Sequence, residues 1–451
     1  MESYLKCIMP SCDFQTGISE EITECPKCNN LLDVIYLGQD PSSYKELFEF
    51  RKRQPKNIFD KSGVWRFREL LPFPLNHKDP ESIIVSLDGK EGQTYPFQLT
   101  EVAKHVNIQS NNFFLQFEGD NPTGSFKDNG MAASFTHAKM LNRKKVVCAS
   151  TGNTSASMAA FAANELGSMK AIIFIGNGKI AMGKLAQSLE YGAQVVQING
   201  DFDDAMKRVL EVSKKEGIYV MNSVNPFRLE GQKTIMYRML EGLGWNVPDW
   251  VVVPGGNLGN SSSFGKAFIE LKELGLIEKV PRLAIVNAEG ANTLYKLYNE
   301  EKLRWNKGKP DFNKIKKFFE TMDKENRKAK TIASAIEINR PVNLIKCLRA
   351  LEFTNGVVTQ VSDQEMLDAK AIVGRNGFGC EPASAATVAG IINLVKEGTI
   401  KKNETVVGIL TGHQLKDPVA TINYHTNKKN KFANFPVEVE NNLIDIIKAI
   451  K

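Results

Sequence analysis

The chain has 451 residues, 42% of them apolar and 24% charged, which is the composition of an ordinary globular protein of two or three domains. Its formal net charge of +7 is a mild excess of 58 basic over 51 acidic residues, which suits an anionic small molecule as well as nucleic acid. No apolar run approaches the ~20 residues that span a bilayer, so a membrane partner is not expected. The first residues lack the pattern of a signal or transit peptide, and we expect a cytoplasmic protein.

Four of the seven cysteines lie close together at the start of the chain, as Cys7, Cys12, Cys25 and Cys28. Thiolates at this spacing can surround one tetrahedral zinc ion, although four residues instead of the usual two separate the first pair. A ribbon that has lost its metal fits the same residues. Together with the basic pI, the cysteines also leave open a zinc ribbon that binds nucleic acid. We predict a small ribbon-like module over residues 1–40, ending in a strand at 31–36.

From about residue 145 onward, short runs rich in Val and Ile alternate with amphipathic segments of helical length. This alternation predicts an α/β fold with doubly wound parallel sheets, in which ligands bind at the carboxyl ends of the strands. The predicted strands are 146–148, 171–175, 194–198, 219–221, 250–253, 283–286, 357–361 and 406–410. The predicted helices are 131–141, 154–166, 184–191 and 201–215.

Two such domains are expected beyond the ribbon. Residues 41–118 and 216–451 form the large domain, and residues 119–215 form a small, mobile α/β domain. The segment 296–330 is crowded with Lys, Glu and Asn, which indicates a helical insertion on the surface of the large domain.

Three loops at predicted strand ends carry unusual residues. In the first, 118–130, Lys127 lies near the start of a helix, where the backbone N–H dipoles disfavour an ammonium ion and suit an amine that forms a Schiff base. Taken alone, Lys127 would equally fit a surface lysine in an Asn-Pro turn. The second loop, 149–155, offers backbone N–H groups and hydroxyls at a helix start, as an anion cradle or as a simple N-cap.

The third loop, 254–263, has three glycines that let the backbone approach a phosphate closely. Its spacing is not that of the dinucleotide-binding fingerprint. A second glycine-lysine pattern, Gly178-x4-Gly183-Lys184, lacks the Ser or Thr that would hold magnesium, because Leu185 stands there. We therefore predict no nucleotide site at 178–185.

In combination, these loops resemble those of the fold-type II pyridoxal-phosphate enzymes, and within them the threonine synthases, over most of the chain. Residues 121–128 (Asn-Pro-Thr-Gly-Ser-Phe-Lys-Asp) resemble the Schiff-base motif, 150–153 the substrate-carboxylate loop, and 255–260 the cofactor-phosphate loop. The segments that resemble threonine synthases more narrowly are 222–234, 331–336, 341–343 and 411–413. The sequence departs from the family in the wide Cys7–Cys12 spacing and in Asn129, where an arginine is usual.

The resemblance implies a role for individual residues. Lys127 would hold pyridoxal 5'-phosphate and act as the catalytic base. The other cofactor contacts implied are Asn153 at the phenolic oxygen, Thr411 at the pyridine nitrogen, and the phosphate-loop residues Gly255, Gly256, Asn257, Leu258 and Gly259. The substrate contacts implied are Ser150, Thr151, Asn222, Ser223, Arg228 and Asn260. Arg228 alone would also fit a surface salt bridge, and His413 fits either a proton relay or a structural role.

The implied reaction converts O-phospho-L-homoserine and water into L-threonine and phosphate, by γ-elimination and β-addition of water, as a carbon–oxygen lyase acting on phosphate. Other fold-type II enzymes, a cysteate synthase or a serine/threonine dehydratase, are the alternatives. A dehydratase acts on a substrate without phosphate, which Arg228 and its neighbours disfavour. We expect a small-molecule substrate, no nucleic-acid or membrane partner, and a homodimer by analogy with the family.

Overall fold

The computed structural model describes residues 3–36, 40–73, 82–165, 168–176, 182–200 and 202–451. Its strands are β1 Ser3–Cys7, β2 Gln15–Gly17, β3 Leu32–Tyr36, β4 Pro96–Gln98, β5 Phe113–Phe117, β6 Lys145–Ala149, β7 Lys170–Ile175, β8 Gln194–Gln197, β9 Tyr219–Val220, β10 Trp250–Pro254, β11 Arg282–Ala288, β12 Val357–Val361 and β13 Val406–Leu410. Its helices are α1 Tyr44–Arg53, α2 Ile58–Lys61, α3 Thr100–Val106, α4 Lys127–Met140, α5 Asn153–Asn164, α6 Met182–Glu190, α7 Phe202–Glu216, α8 Pro226–Gly242, α9 Gly259–Glu273, α10 Thr293–Tyr295, α11 Phe312–Lys324, α12 Leu344–Phe353, α13 Asp363–Gly374, α14 Pro382–Lys396, α15 Pro418–Thr426 and α16 Leu443–Ile450.

Two parallel sheets confirm the predicted α/β fold class. The larger has the order β12-β11-β10-β13-β5-β4, with only β4 antiparallel, and the smaller has the order β8-β7-β6-β9. All five residues of β10 are buried, as expected for a central parallel strand covered on both faces. The strand β9, which is part of the small sheet, lies beyond residue 215, where the small domain was predicted to end. The domain boundaries stay a prediction.

Some predicted segments extend past the described residues. Residue 166 of the helix 154–166, residue 201 of the helix 201–215, and the glycine-lysine pattern up to residue 181 lie outside them, as do residues 1, 2 and 37–39 of the ribbon module. In the parts of the chain that are described, no helix combines the length and the apolar composition that crossing a bilayer requires.

The ribbon is a three-stranded antiparallel sheet of order β2-β1-β3, and it has no separate core. Leu5, Leu32 and Val34 are fully buried within the core that the ribbon shares with the large domain. Lysines of the large domain bind β3 directly, since Lys346 Nζ donates to the Leu32 carbonyl at 2.7 Å and Lys266 Nζ to the Val34 carbonyl at 2.6 Å. The ribbon is therefore fixed to α9 and α12.

The predicted insertion at 296–330 contains a π-helical turn, Lys296–Glu300, and the largely exposed helix α11. Its buried residues include Trp305, which precedes a tight turn at Gly308 with a φ of 91°. A Cβ on Gly308 would lie 2.5 Å from Pro10 of the ribbon. The insertion therefore packs against the ribbon, a contact that the sequence did not predict.

The helices α4 and α8 cross very closely at two glycines. A Cβ on Gly231 would lie 2.0 Å from the Asn129 carbonyl oxygen, and one on Gly130 would lie 2.9 Å from the Arg228 carbonyl oxygen. Helix α8 is buried on all sides from Pro226 to Glu241, and it begins where Asn225 Oδ1 accepts from the Phe227 N–H at 2.9 Å. The crossing brings the first turns of α4 and α8 together.

Substitution of Gly231 by Ala tests this crossing. The added methyl group has no room against the Asn129 carbonyl, so we expect the free energy of unfolding to fall by about 3 kcal/mol or more. The control is Gly374→Ala at the end of α13, where a Cβ meets nothing within 4 Å and the expected change is below about 1 kcal/mol. Urea denaturation of both variants measures the difference, and equal stabilities would contradict the close crossing.

Candidate active site

Lys127 is the first residue of α4, and the loop before it is fastened to the end of β13. The Phe126 N–H donates to the Thr411 carbonyl at 3.0 Å, and the His413 N–H donates to the Gly124 carbonyl at 2.9 Å. These contacts are possible because β5 and β13 are neighbouring parallel strands, whose carboxyl ends meet. The prediction of a helix from residue 131 was wrong at its start, since α4 already begins at Lys127.

The surroundings of Lys127 favour a neutral amine. Its side chain is partly buried, and its Nζ lies 3.6 Å from the centroid of the Phe126 ring. Loss of solvent, and then the positive charges of Arg228 and Lys184, hold the pKa of Lys127 well below its usual range, against the opposing charge of Glu381. A neutral lysine amine can add to an aldehyde, which is what a Schiff base requires.

The loop between β6 and α5 brings Ser150, Thr151 and Asn153 to the same edge. The Gly152 N–H donates to Ser150 Oγ at 3.0 Å, and α5 begins at Asn153 with the free amides of a helix start. Asn153 is buried and its Nδ2 donates to Glu381 Oε1 at 3.0 Å. Its Oδ1 has no hydrogen-bond partner among the described residues. The roles of these residues toward substrate and cofactor stay predictions.

The loop after β10 forms a cradle at the start of α9. Leu258 turns the chain into the helix with a left-handed φ of 62°, and a Cβ on Gly256 would lie 3.1 Å from Ile336 Cα. Within the described residues, Ser261 Oγ and Asn260 Oδ1 are buried without a partner. A helix start with an unpartnered buried hydroxyl fits a phosphate group. Ser261 lies within the loop 254–263, but it was not among the predicted site residues.

The remaining phosphate-loop residues hold the cradle in place. The Gly255 N–H donates to the Val286 carbonyl at 2.7 Å, and the Asn257 carbonyl accepts from the Asn343 N–H at 3.1 Å. Gly259 approaches α8, where its Cβ would lie 3.2 Å from Gln232 Oε1. The cradle is therefore fixed against both the large sheet and the helix that carries Arg228.

Thr411 follows β13 and is buried beside α14. Its Oγ1 lies 3.0 Å from Ser384 Oγ, and Ser384 Oγ accepts from the Gly412 N–H at 2.8 Å. A hydroxyl can bind a pyridine nitrogen without holding it protonated, and this role of Thr411 stays a prediction. Ser384, which orients Thr411, was not predicted.

Arg228 is fully buried in the first turn of α8, which contradicts the surface salt bridge that it would fit alone. Its Nη1 donates to the Met221 carbonyl at 2.9 Å, and its Nε has no partner among the described residues. Burial lowers the pKa of Arg228 to about 10. No carboxylate in the described part of the chain forms an ion pair with Arg228 at hydrogen-bond distance, so the guanidinium is available to an anion.

The neighbours of Arg228 in the motif 222–234 differ from it in their hydrogen bonds and exposure. Both ends of the Asn222 amide bind the backbone of Ala149, at 3.0 Å and 2.9 Å, so Asn222 joins its segment to the end of β6. Ser223 is partly exposed, and its carbonyl accepts from Asn343 Nδ2 at 3.1 Å. Their predicted contacts with substrate remain predictions. His413 Nδ1 accepts from the Leu415 N–H at 3.1 Å, which is a structural cap.

Glu381 and Lys184 were missed by sequence reasoning, although both influence Lys127. Glu381 stands just before Pro382 at the start of α14, where an acidic side chain also suits the helix dipole, so its pattern is that of a simple cap. Lys184 was considered only as part of a rejected nucleotide pattern. The two side chains form a buried ion pair at 3.1 Å.

The four N-terminal cysteines converge, although they come from different turns of the ribbon. Their Sγ atoms all lie within 4.8 Å of one another, with 3.4 Å between Cys7 and Cys28 and 3.6 Å between Cys12 and Cys25. A tetrahedral zinc with Zn–S bonds of about 2.3 Å needs sulfur atoms about 3.8 Å apart. The donor set and its spacing therefore fit one zinc ion.

Comparison with known proteins identifies the family of the chain. Residues 87–412 match the family described as pyridoxal-phosphate dependent enzyme. The chain belongs to the family of pyridoxal-phosphate dependent enzymes.

Within that family, the chain is similar to threonine synthases from several organisms. It is 40% identical to the threonine synthase of Methanocaldococcus jannaschii, over 92% of this chain and 94% of that protein. It is 39% identical to that of Methanosarcina acetivorans over 93% of each, and 35% identical to the chloroplastic threonine synthase 2 of Arabidopsis thaliana over 95% of this chain and 81% of that one.

Solved structures share the fold. The crystal structure of threonine synthase from Escherichia coli aligns over 99% of both chains with a TM-score of 0.63 and 15% identity. The processed threonine deaminase isoform 2 of Solanum lycopersicum aligns over 84% of this chain and 86% of its own, with a TM-score of 0.54 and 17% identity. At these identities the likeness concerns the fold alone.

The electrostatics of Lys127 predict how cofactor binding depends on pH. Because the pKa of Lys127 is lowered, stripped protein should form its Schiff base at lower pH than an exposed lysine allows. Arg228→Met removes a cation that lowers this pKa, so the pH midpoint of the rate of Schiff-base formation should rise. Absorbance after mixing with pyridoxal phosphate measures the rate. The exposed variant Arg53→Met should leave the midpoint unchanged, and a lower midpoint in Arg228→Met would contradict the explanation.

Proposed function

We propose that this chain converts O-phospho-L-homoserine and water into L-threonine and inorganic phosphate. The observation that carries the proposal is the buried guanidinium of Arg228, which has no ion pair in the described part of the chain and whose charge acts on the amine of Lys127. A substrate with both an amino group and a phosphate would suit this pair, because its amine would replace Lys127 on the cofactor while its phosphate binds Arg228. The similarity to threonine synthases along nearly the whole chain supports the same reaction.

Several residues would hold the substrate at the carboxyl ends of the strands. Ser150, Thr151 and the free amides of α5 would bind the substrate carboxylate. Arg228 would bind the substrate phosphate by charge-assisted hydrogen bonds, with Asn260 and Ser223 as further donors. Asn222 would act mainly by holding this segment against β6, because its amide is already engaged there.

The cofactor would be held by Lys127, Asn153, Thr411 and the cradle 255–259, and it would supply the electron sink for carbanion chemistry. Lys127, once displaced by the substrate amine, would move protons as the base. The phosphate would leave as an anion, and the buried cation of Arg228 would stabilise the charge that develops on it. Water addition would then complete the product.

Two related reactions compete with this proposal. A serine/threonine dehydratase would have no use for Arg228, because its substrate carries no phosphate. A cysteate synthase would also take a phosphorylated amino acid, so the residues of the binding site do not distinguish its reaction from the proposed one. The choice depends on the substrate that releases phosphate.

Phosphate release distinguishes these reactions directly. We expect purified protein loaded with pyridoxal phosphate to release phosphate and form threonine from O-phospho-L-homoserine, and to be inactive on O-phosphoserine with sulfite. Lys127→Ala should abolish turnover. Arg228→Met should reduce kcat/KM by a factor on the order of 100 or more, since it removes a charge-assisted hydrogen bond to the leaving group. Equal phosphate release from both substrates would contradict the proposal.

We also propose that Cys7, Cys12, Cys25 and Cys28 bind one structural zinc ion. The convergence of four sulfur atoms within 4.8 Å supports this. Because the ribbon shares its core with the large domain, the metal would stabilise the whole protein and take no part in the reaction. A nucleic-acid partner is not needed to explain the cysteines. A homodimer remains a proposal by analogy with the family, and a cytoplasmic location remains a proposal that rests on the sequence pattern alone.

Zinc content tests the second proposal. We expect about one zinc per chain by atomic emission, as a single site with four cysteine ligands requires. Cys25→Ser should lose the metal and lower Tm, because the ribbon contributes buried residues to the core. The matched control Cys347→Ala, in α12, should keep its zinc even if its Tm falls. Metal-free wild-type protein with an unchanged Tm would contradict the proposal.

A further inference from the structure

A buried chain of three polar side chains reaches from the small sheet to the loop before α5. Lys184 Nζ in α6 lies 3.1 Å from Glu381 Oε2, and Glu381 Oε1 accepts from Asn153 Nδ2 at 3.0 Å. All three residues are at least nine-tenths buried. Their positions in the sequence are far apart, so tertiary folding alone brings them together.

Glu381 determines which way the Asn153 amide points. An ionised carboxylate only accepts hydrogen bonds, so the NH2 group of Asn153 must face it and Oδ1 must face away. The free Oδ1 agrees with this, since it has no partner among the described residues. Asn153 Nδ2 lies 3.0 Å from Glu381 Oε1 and 3.3 Å from Oε2. One N–H can serve both oxygens of the carboxylate, which leaves the other N–H for a second acceptor. Without Glu381, either end of the amide could turn to that acceptor.

Lys184 pairs with Glu381 and holds its carboxylate in place. A buried carboxylate is costly unless a cation pairs with it, and Lys184 is the cation within 4 Å of Glu381 in the described structure. The Lys184 chain passes over the substrate loop, since a Cβ on Gly152 would lie 3.8 Å from its Cδ. Its Nζ also donates to Ser334 Oγ at 3.1 Å. Lys184 thus joins the small sheet to the large domain.

We propose that Glu381, held by Lys184, is a positioning residue that directs an Asn153 N–H toward the phenolic oxygen of the cofactor. This rests on the part of the proposed function that makes Asn153 a cofactor ligand. The pairing of Lys184 with Glu381 also requires the small sheet to be seated on the large one. Orientation of the Asn153 amide therefore depends on contact between the two halves of the protein.

The absorption spectrum of bound pyridoxal phosphate tests this proposal without substrate. A hydrogen bond to the phenolic oxygen shifts the balance between the visible and near-ultraviolet forms of the bound chromophore. We expect Glu381→Leu to change the ratio of the two bands by about fivefold, the effect of one net hydrogen bond on an equilibrium. Lys184→Met should change the ratio in the same direction. Glu381→Gln keeps an acceptor oxygen for Asn153 and should restore a ratio close to that of the wild type.

Matched controls separate positioning from general loss of charge or stability. Glu397 is exposed at the far end of α14, and Glu190 is exposed on α6. Glu397→Gln and Glu190→Gln should both give the wild-type ratio of the two bands. If Glu381→Leu does not fold, the ratio of the two bands in Lys184→Met tests the proposal in its place. A wild-type ratio in Lys184→Met, or in every Glu381 variant that binds the cofactor, would overturn the proposal.

The two proposals fail in different ways. If the wild type does not turn over O-phospho-L-homoserine but Lys184→Met shifts the spectrum, only the substrate assignment fails. If phosphate release proceeds as expected and the spectrum of Lys184→Met is unchanged, only the positioning role of Glu381 fails.

Discussion

The close crossing of α4 and α8 at Gly130 and Gly231 is the constraint on which the site depends. Backbone atoms of one helix occupy the space that a side chain on the other would need. Because the contact falls in the first two turns of both helices, it brings Lys127 and Arg228 close enough for the guanidinium charge to act on the lysine. An amine and a guanidinium that would otherwise repel are held together by packing, and that repulsion helps to keep the amine neutral.

The charges around this crossing suit anionic ligands. Lys184 and Arg228 are buried and their charges act on Lys127. Lys416 is buried beside Gly124 of the loop that precedes Lys127, and burial lowers its pKa to about 8. Glu381 is the acidic residue among them that acts directly on Lys127. A cofactor phosphate and a substrate phosphate would each bring negative charge to this region. Binding them would supply a counter-charge to Arg228, which has no ion pair among the described residues.

The sequence predicted the parts of the structure that depend on local pattern. The alternation of apolar and amphipathic segments predicted the parallel sheets, and the loops with Lys127, Asn153 and Leu258 all lie at the carboxyl ends of strands. The similarity to known enzymes confirms the predicted family and reaction class. Each of these loops can be recognised in the sequence because its residues are contiguous.

The sequence did not predict contacts between distant residues. Glu381 lies 228 positions from Asn153, and its pattern before Pro382 is indistinguishable from a helix cap. The early start of α4 at Lys127 depends on the anchoring of its loop to Thr411, which no local pattern shows. The packing of the insertion on Pro10 and the burial of Arg228 likewise arise only from tertiary structure.

The central claim is that the amine of Lys127 carries the cofactor, and borohydride reduction followed by peptide mapping tests it most directly. Reduction fixes the cofactor to whichever lysine holds it, and mass spectrometry identifies the labelled peptide. The structure predicts one label per chain, on Lys127. A label on Lys184, on Lys416 or on any other lysine, or no label after incubation with pyridoxal phosphate, would contradict it.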